Sequence, residues 1–418
     1  AGAFVARASR KTGCSSWCLA TLDLGNLRLY NEWYGKRAGD VLLIETARVL
    51  AGAEKRGEAF VGYWGQDDFS LILPFNQSAI TGIYRRVRNV IAAHDSSAGF
   101  LPTMGVLPLE KAQAVDIDAY SKALYANRTA KLDFKNRVAL FDPGKYEQST
   151  REHVLLSSFQ FGLANGDITF FLQPQVDIED GSVVGAEALA RWQRSDGTSV
   201  SPAEFVPVLE RNGFVTMLDK FIWKSVARWL RHAIAAGLDP VPVSINISRV
   251  DIVSLDVTAF IEETVAEAGI PAHLIKAEIT ETAYTEESDA VEKTISGLKD
   301  LGISLFMDDF GSGQSSLSML SEVNVDVIKL DRRFLPKNDG NDEKSASIVR
   351  SMVSMAHSLG LPMIVEGVET DEQVDFLKRL GCRYVQGFRY YRPMPPDEFE
   401  HILADTSVRG GDSLNSIL

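Results

Sequence analysis

Eight side chains able to bind a metal ion or polarise a reacting group recur at matched places in the second half of the chain. They are Glu187, Asn246, Glu278, Asp308 with Asp309, Lys329, Glu366 and Gln386. Each stands at or just past the end of a short apolar run of strand-like composition. Carboxylates and an amide, with no cysteine or histidine among them, are hard oxygen donors that suit Mg²⁺ or Mn²⁺ rather than zinc or copper. Asp308 and Asp309 are adjacent, and neighbours on a strand point to opposite sides. To serve one site, both must lie just beyond the strand, where Gly311 and Gly313 let the backbone turn. So placed, they can bridge and flank two metal ions roughly 3.5–4 Å apart, the arrangement of phosphodiester hydrolysis. So many negative charges in one cleft are destabilising without compensation, which makes metal a requirement. Lys329 is the cation of the set, suited to orienting an attacking water or neutralising developing phosphorane charge.

The elements that must position these residues alternate. Strand-like runs are Ile168–Val176, Val183–Ala190, Val241–Ile247, Ile275–Thr280, Ile303–Met307, Val325–Leu330, Met363–Val365 and Tyr384–Gln386. Helix-like segments lie between them, among them Thr216–Ala236, Val257–Ala268, Ser288–Leu301, Ser345–Leu359 and Asp371–Leu380. Alternation of this kind predicts a largely parallel sheet with crossover helices, and eight strands predict a TIM-type (β/α) barrel. In a barrel all the carboxyl ends of the strands meet on one face, where barrel enzymes keep their chemistry.

The chain has 418 residues, 45% of them hydrophobic and 24% charged, as expected of a globular protein of more than one domain. A net charge of −13 argues against a polymeric nucleic-acid partner, whereas a small anion screened by metal remains compatible. Cys14, Cys18 and Cys382 lack disulfide or zinc spacing and read as thiols of a reducing cytoplasm. The start, Ala1-Gly2-Ala3-Phe4-Val5-Ala6-Arg7, has neither an initiator Met nor the plan of a secretory signal. It reads as a point inside a longer, cytoplasmic protein, any membrane contact being left to a missing N-terminal region. Asp142-Pro143-Gly144 is turn chemistry and marks a boundary. The expected organisation is a domain over 1–144, a linker helix over 145–165, the barrel over 166–404 and a tail over 405–418.

Gly185-Ala186-Glu187-Ala188-Leu189-Ala190-Arg191-Trp192 resembles the signature of the EAL family, whose members cleave cyclic di-GMP to pGpG. Gln173-Pro174, Ser244-Ile245-Asn246-Ile247-Ser248, Glu278-Ile279-Thr280-Glu281, Asp308-Asp309-Phe310-Gly311, Ile328-Lys329-Leu330-Asp331, Glu366-Gly367-Val368-Glu369 and Gln386-Gly387 follow in family order. The resemblance implies that Glu187, Asn246, Glu278 and Asp308 bind a first metal, and that Asp308, Asp309 and Glu366 serve a second. It also implies that Lys329 helps activate water and that Glu281 braces the loop after Asp309, a loop tied to metal binding and homodimer formation. Gln173, Leu189, Arg191, Gln386 and Glu369 are implied as substrate-side residues, Arg191 for phosphate. Where the family loop reads Asp-Phe-Gly-Thr-Gly-Tyr-Ser-Ser, this chain has Ser312 and Gln314, the latter losing an aromatic ring that would stiffen the loop. All metal ligands are kept, so a working phosphodiesterase is expected. A catalytically silent cyclic di-GMP receptor is the alternative.

The first half reads as an α+β unit. Its expected parts are strand Cys18–Leu24, helix Tyr34–Leu50, hairpin Phe60–Tyr63 with Phe69–Leu73, helix Ser78–Ala93, and strands near Met104–Leu107 and Arg137–Phe141. It resembles the GGDEF family of diguanylate cyclases, with Gly65-Gln66-Asp67-Asp68-Phe69 in the signature's place. Gln66 sets a side chain where triphosphate needs a bare backbone, and Asp68 is shorter than the usual Glu. Gly25 and Leu27 replace a further Asp and a Phe, and the inhibitory Arg-x-x-Asp would fall on Arg56 to Ala59, without its Asp. A synthase is therefore not expected. Asp23, Asn31, Asp40 and Asp68 remain as a possible GTP pocket in a regulatory or structural domain.

Overall fold

The computed structural model describes residues 16–65, 67–109, 115–286, 288–311, 324–336 and 343–405. Gln66, Cys14, Gly313 and the loop carrying Ser312 and Gln314 lie outside the described residues, as does the tail beyond 405. Two compact units divide the chain at His153 and Val154.

The first unit is built on a five-stranded sheet in the order β2-β3-β1-β4-β5. Its strands are β1 (Trp17–Asp23), β2 (Phe60–Gly65), β3 (Asp68–Pro74), β4 (Thr103–Leu109) and β5 (Val138–Leu140). Every residue of the central strand β1 is buried. Its Cys18, Ala20 and Leu22 pack with helices α1 (Leu27–Tyr34), α2 (Lys36–Lys55) and α3 (Gln77–His94). Trp17 and Leu19 turn to the other face and pack with α4 (Ile117–Leu132), the period-two alternation of a strand covered on both sides. The helix expected over Tyr34–Leu50 is α2, which starts at Lys36 and runs on to Lys55; α1 ahead of it had no counterpart in the sequence reading, and Gly35, at φ +87°, separates the two. Helix α4 had no counterpart in the sequence reading. Its buried stripe is small (Ala119, Ala123, Ala126 and Ala130), so its periodicity carries little hydrophobic contrast.

Helix α5 (Pro143–Asn165) begins slightly before the expected linker. The second unit is a closed barrel of β6 (Ile168–Asp177), β7 (Val183–Gln193), β9 (Val243–Ile247), β10 (Ile275–Thr280), β11 (Ser304–Phe310), β12 (Val327–Leu330), β13 (Met363–Glu366) and β14 (Tyr384–Gln386), with a short β8 (Ser199–Val200) added outside on β7. Around it lie α6 (Pro202–Arg211), α7 (Val215–Ala235), α8 (Arg249–Ser254), α9 (Val257–Ala268), α10 (Glu281–Glu286), α11 (Ser288–Asp300), α12 (Glu343–Ser358), α13 (Asp371–Arg379) and α14 (Pro396–Ala404). One strand departs from the parallel expectation: β6 runs antiparallel to both of its neighbours, β7 and β14. The short connection between β6 and β7 leaves no room for a crossover helix, and Asp180-Gly181, with Gly181 at φ +79°, turns the chain back as a hairpin.

Val184, Phe306, Val327, Ile364 and Tyr384, each from a different strand, meet in one cluster and plug the barrel's interior. Two residues farther along four of those strands stand Asp308, Lys329, Glu366 and Gln386. Side chains at i and i+2 share a strand face, so the apolar plug is the floor on which the polar site rests. No helix among the described residues is long and apolar enough to cross a membrane.

Candidate metal and phosphodiester site

Lys329 is the hub. It has no solvent exposure, and its Nζ lies 2.7 Å from Glu278 Oε2, 3.0 Å from Glu187 Oε2, 2.6 Å from Glu366 Oε1 and 3.5 Å from Asp308 Oδ1. These partners come from β7, β10, β11 and β13, and only barrel closure brings them together. Gln386 Nε2 donates to Glu187 Oε2 at 2.6 Å and to Gln173 Oε1 at 3.2 Å, and Asn246 Nδ2 donates to Glu187 Oε1 at 3.3 Å. Gln175 Nε2 in turn donates to Gln386 Oε1 at 3.1 Å, and the Trp223 indole donates to the Asn246 carbonyl at 3.0 Å. Gln175 and Trp223 were not foreseen. For Gln175 the signal was present, because Gln173 and Gln175 alternate along one strand and share its face.

The electrostatics follow from one ammonium facing four carboxylates in a buried place. Burial opposes the charge on Lys329, but Asp308, Glu187, Glu278 and Glu366 together raise its pKa well above the ordinary lysine value. Burial opposes charge on Glu187 too, yet Lys329 and the hydrogen bonds from Gln386, Lys329 and Asn246 hold its carboxyl below its ordinary value. Glu278 goes the other way, pushed well up by burial and by the charges of Glu187 and Asp308. Glu366 is raised to about 7, by burial first and against the pull of Lys329.

Asp308 and Asp309 solve their directional problem inside the strand, not beyond it as the sequence suggested. The pairing of β11 with β12 shifts register between Met307 and Phe310, and Asp309 adopts the left-handed φ of +55°. This bulge turns the Asp309 carboxylate out of simple alternation, while Asp308 keeps the face of Phe306 two residues before it. Asp309 does not reach Lys329. It is hydrogen-bonded to Asp331, and its carboxyl rises to about 6 through burial, that bond and the charge of Asp308. Arg333 in turn grips Asp331, Nε to Oδ2 at 2.9 Å and Nη2 to Oδ2 at 2.8 Å. Glu281 is buried and accepts the Gly311 N–H at 2.8 Å on Oε2, the bracing contact expected of it, and stands outside the carboxylate hub.

Of the substrate-side residues, Gln173, Leu189, Arg191 and Gln386 border the hub or the cavity beside it. That cavity, of about 400 Å³, is lined by Glu187, Leu189, Arg191, Trp223 and Asn246. The Arg191 guanidinium lies over the Phe171 ring, 5.2 Å from its centroid. Glu369 is exposed ahead of α13, where its backbone N–H donates to Gln373, and it stands apart from the hub.

The donors fit hard divalent cations. They are oxygens throughout, the negative charge exceeds what one ammonium balances, and Glu278 Oε1 is buried with no hydrogen-bond partner. In the first unit Asp23 pairs with Asp68 across β1 and β3, and Asp67 joins them so that their oxygens lie within 4.8 Å of one another. Among the described residues this is the only acidic trio that converges so closely; in the barrel Lys329 spaces the carboxylates. Burial and the Asp23 charge raise the carboxyls of Asp67 and Asp68, while Lys131, 2.5 Å from Asp23, opposes the rise. Asp67 was not anticipated in this pocket. Asn31 presents a buried, unpartnered Oδ1, and Asp40 is exposed.

Comparison with known proteins agrees with the fold and its two-domain order. The EAL domain model matches residues 157–393, and the diguanylate cyclase GGDEF domain model matches residues 5–100. The chain is 28% identical to the bifunctional diguanylate cyclase/cyclic di-GMP phosphodiesterase MucR of Pseudomonas aeruginosa, over 90% of this chain and 56% of that protein. It is 30% identical to an uncharacterized signaling protein of Caulobacter vibrioides, over 91% of this chain and 47% of that protein. It thus spans about half the length of these relatives. The PaMucR phosphodiesterase in its c-di-GMP complex superposes with a TM-score of 0.56 at 28% identity, covering 59% of this chain and 99% of that one. An EAL domain protein from Listeria monocytogenes gives 0.51 at 28% identity, covering 59% and 96%. The chain belongs to the EAL domain family and carries a GGDEF domain ahead of its barrel.

Proposed function

We propose that the barrel hydrolyses cyclic di-GMP to linear pGpG with the help of two Mg²⁺ or Mn²⁺ ions. The observation that carries this reading is the buried hub, in which Glu187, Glu278, Asp308 and Glu366 close around Lys329 with Asn246 and Gln386 alongside. Glu187, Asn246, Glu278 and Asp308 would hold one ion, and Asp308, Asp309 and Glu366 the other. Bound there, such ions supply Lewis acidity and a nucleophilic water at neutral pH. The chain's own residues do the rest. Lys329 orients the attacking oxygen and offsets negative charge as it develops on phosphorus. Arg191, with its fork of N–H donors, faces a phosphate oxygen. Gln386 keeps Glu187 aimed, and Glu281 fixes the backbone at Gly311. Support for the substrate comes from the c-di-GMP complex of the PaMucR phosphodiesterase, at 28% identity.

The first unit is read as a regulatory or structural GGDEF domain that makes no cyclic di-GMP and that can hold GTP. Homodimerisation through the barrel and a cytoplasmic place of action belong to the same proposal. The test is hydrolysis of cyclic di-GMP by the whole chain after chelation and stepwise return of metal. Activity that follows Mg²⁺ or Mn²⁺ loading, and that Ca²⁺ suppresses through its larger, looser coordination, is the expected result. Activity that survives complete chelation would overturn it.

A further inference from the structure

The strand that runs against its neighbours, β6, brings two glutamines to the edge of the hub, and one of them, Gln175, has no part in the proposed chemistry. Gln173 and Gln175 are two apart and share a strand face. Because β6 is antiparallel to both neighbours, its register sets Gln173 opposite Glu187 of β7 and Gln175 opposite Gln386 of β14. All four side chains are buried.

A glutamine amide has one end that donates and one that accepts, so a chain of such bonds has a direction. Gln175 Nε2 donates to Gln386 Oε1 at 3.1 Å. Gln386 Nε2 then donates to Glu187 Oε2 at 2.6 Å and to Gln173 Oε1 at 3.2 Å. Gln173 Nε2 donates in turn to the Tyr391 carbonyl at 3.3 Å. Every bond in the chain runs the same way, from Gln175 toward the hub and the loop after β14.

Only one sense of the Gln386 amide suits this place. An ionised carboxylate only accepts, so Glu187 needs the NH₂ end. Turned over, Gln386 would set its carbonyl oxygen against Glu187 Oε2 and Gln173 Oε1, and its NH₂ against that of Gln175. The Gln175 donor therefore favours the sense in which Gln386 donates to Glu187. Glu187 Oε2 shares that donor with Lys329 at 3.0 Å, while its Oε1 accepts from Asn246 at 3.3 Å. We propose that Gln175 is a positioning residue: through Gln386 it fixes the Glu187 carboxylate in the attitude that receives the first metal ion. The inference rests on the metal site proposed above. It also gives the reversed strand a use, because two residues of β6 address Glu187 and its tether together.

The test is Mn²⁺ affinity of the whole chain by titration calorimetry, for wild type, Gln175→Met, Gln386→Met and the double variant. Met keeps the reach of Gln and drops its donor. All four chains share the same first unit, so differences between them report the barrel. Loss of a group that orients a metal ligand typically costs about 10–100-fold in metal affinity, and each single variant is expected to show a loss of that order. The double variant is expected to bind no more weakly than Gln386→Met alone, because Gln175 acts through Gln386. A side chain that merely fills space does not give this pattern. Losses that multiply in the double variant, or wild-type affinity in Gln175→Met, overturn the proposal. In wild-type chain labelled with ¹⁵N-glutamine, the Gln386 side-chain amide protons are expected to exchange with D₂O far more slowly than those of an exposed glutamine. Exchange at the exposed rate overturns the proposal whichever variants fold. Neither readout involves cyclic di-GMP, so equal Mn²⁺ binding by all four chains would sink the relay and leave the proposed hydrolysis standing.

Discussion

Removing Lys329 tests two separate properties of the hub. Its ammonium is the shared counter-charge of four buried or half-buried carboxylates, and stripping one partner from such a set typically costs about 3–5 kcal/mol. Lys329→Met is therefore expected to lower the melting temperature of metal-free protein by many degrees, with Mg²⁺ or Mn²⁺ restoring more in the variant than in wild type. An unchanged midpoint in differential scanning calorimetry would contradict the hub. On activity, Lys329→Ala is expected to reduce kcat with KM largely kept, because charge stabilisation that appears only in the transition state leaves ground-state affinity alone. Metal affinity also carries a pH signature. Glu366 at about 7 and Asp309 at about 6 keep protons near neutrality, raised mainly by burial. Metal takes the ionised form, so affinity is expected to climb through that window and to level off above it, with protons released on binding. Calorimetry in buffers of different ionisation enthalpy reads that release, and a pH-independent affinity would contradict it. The same raised values mean that metal-free protein loses the stability these protonated carboxyls supply as pH rises through about 6 to 7.

At the scale of elements, β11 holds the strongest constraint. Asp309 at φ +55° and Gly311 at φ +87° bend the strand end so that Glu281 can accept from Gly311 N–H. A Cβ at Gly311 would meet Met352 and Phe334. Gly311→Ala is expected to cost about 1–3 kcal/mol in chemical denaturation, from backbone strain and overpacking, and to lower turnover as the bulge shifts. A variant as stable and active as wild type would show that the bulge does not set the site. Much of this element scale was readable in advance. The hub residues were legible because each ends a short apolar run, and four of them, Asp308, Lys329, Glu366 and Gln386, follow an apolar inward position by two, as Val327 precedes Lys329 and Ile364 precedes Glu366. The direction of β6 was not specified although Asp180-Gly181 carried hairpin chemistry, because strand-helix alternation elsewhere pointed to a largely parallel sheet. Helix α6 was missed because Pro207 interrupts it, and α4 because alanines face its core.

At the scale of the whole molecule, a nucleotide held by the GGDEF domain would act on the barrel. Asp23, Asp67 and Asp68 converge as a cation's ligands would, and Lys131 already lies against Asp23. GTP with Mg²⁺ is expected to bind this domain without yielding cyclic di-GMP. Any effect on hydrolysis is a coupling free energy of typically about 1–3 kcal/mol, so the rate would change by no more than about 5–150-fold. Calorimetry of GTP binding beside rates with and without GTP checks this, and synthesis of cyclic di-GMP would overturn the reading of the domain. The central claim, that the barrel is a metal-dependent hydrolase, has a more direct test. Cyclic di-GMP is incubated with the purified chain and Mg²⁺ or Mn²⁺, and the products are resolved over time for wild type and for Glu187→Ala. Wild type is expected to accumulate pGpG and the variant none, since Glu187 touches Lys329, Gln386 and Asn246 at once. Tight binding of cyclic di-GMP by wild type with no turnover in either metal would contradict the account and make the barrel a receptor.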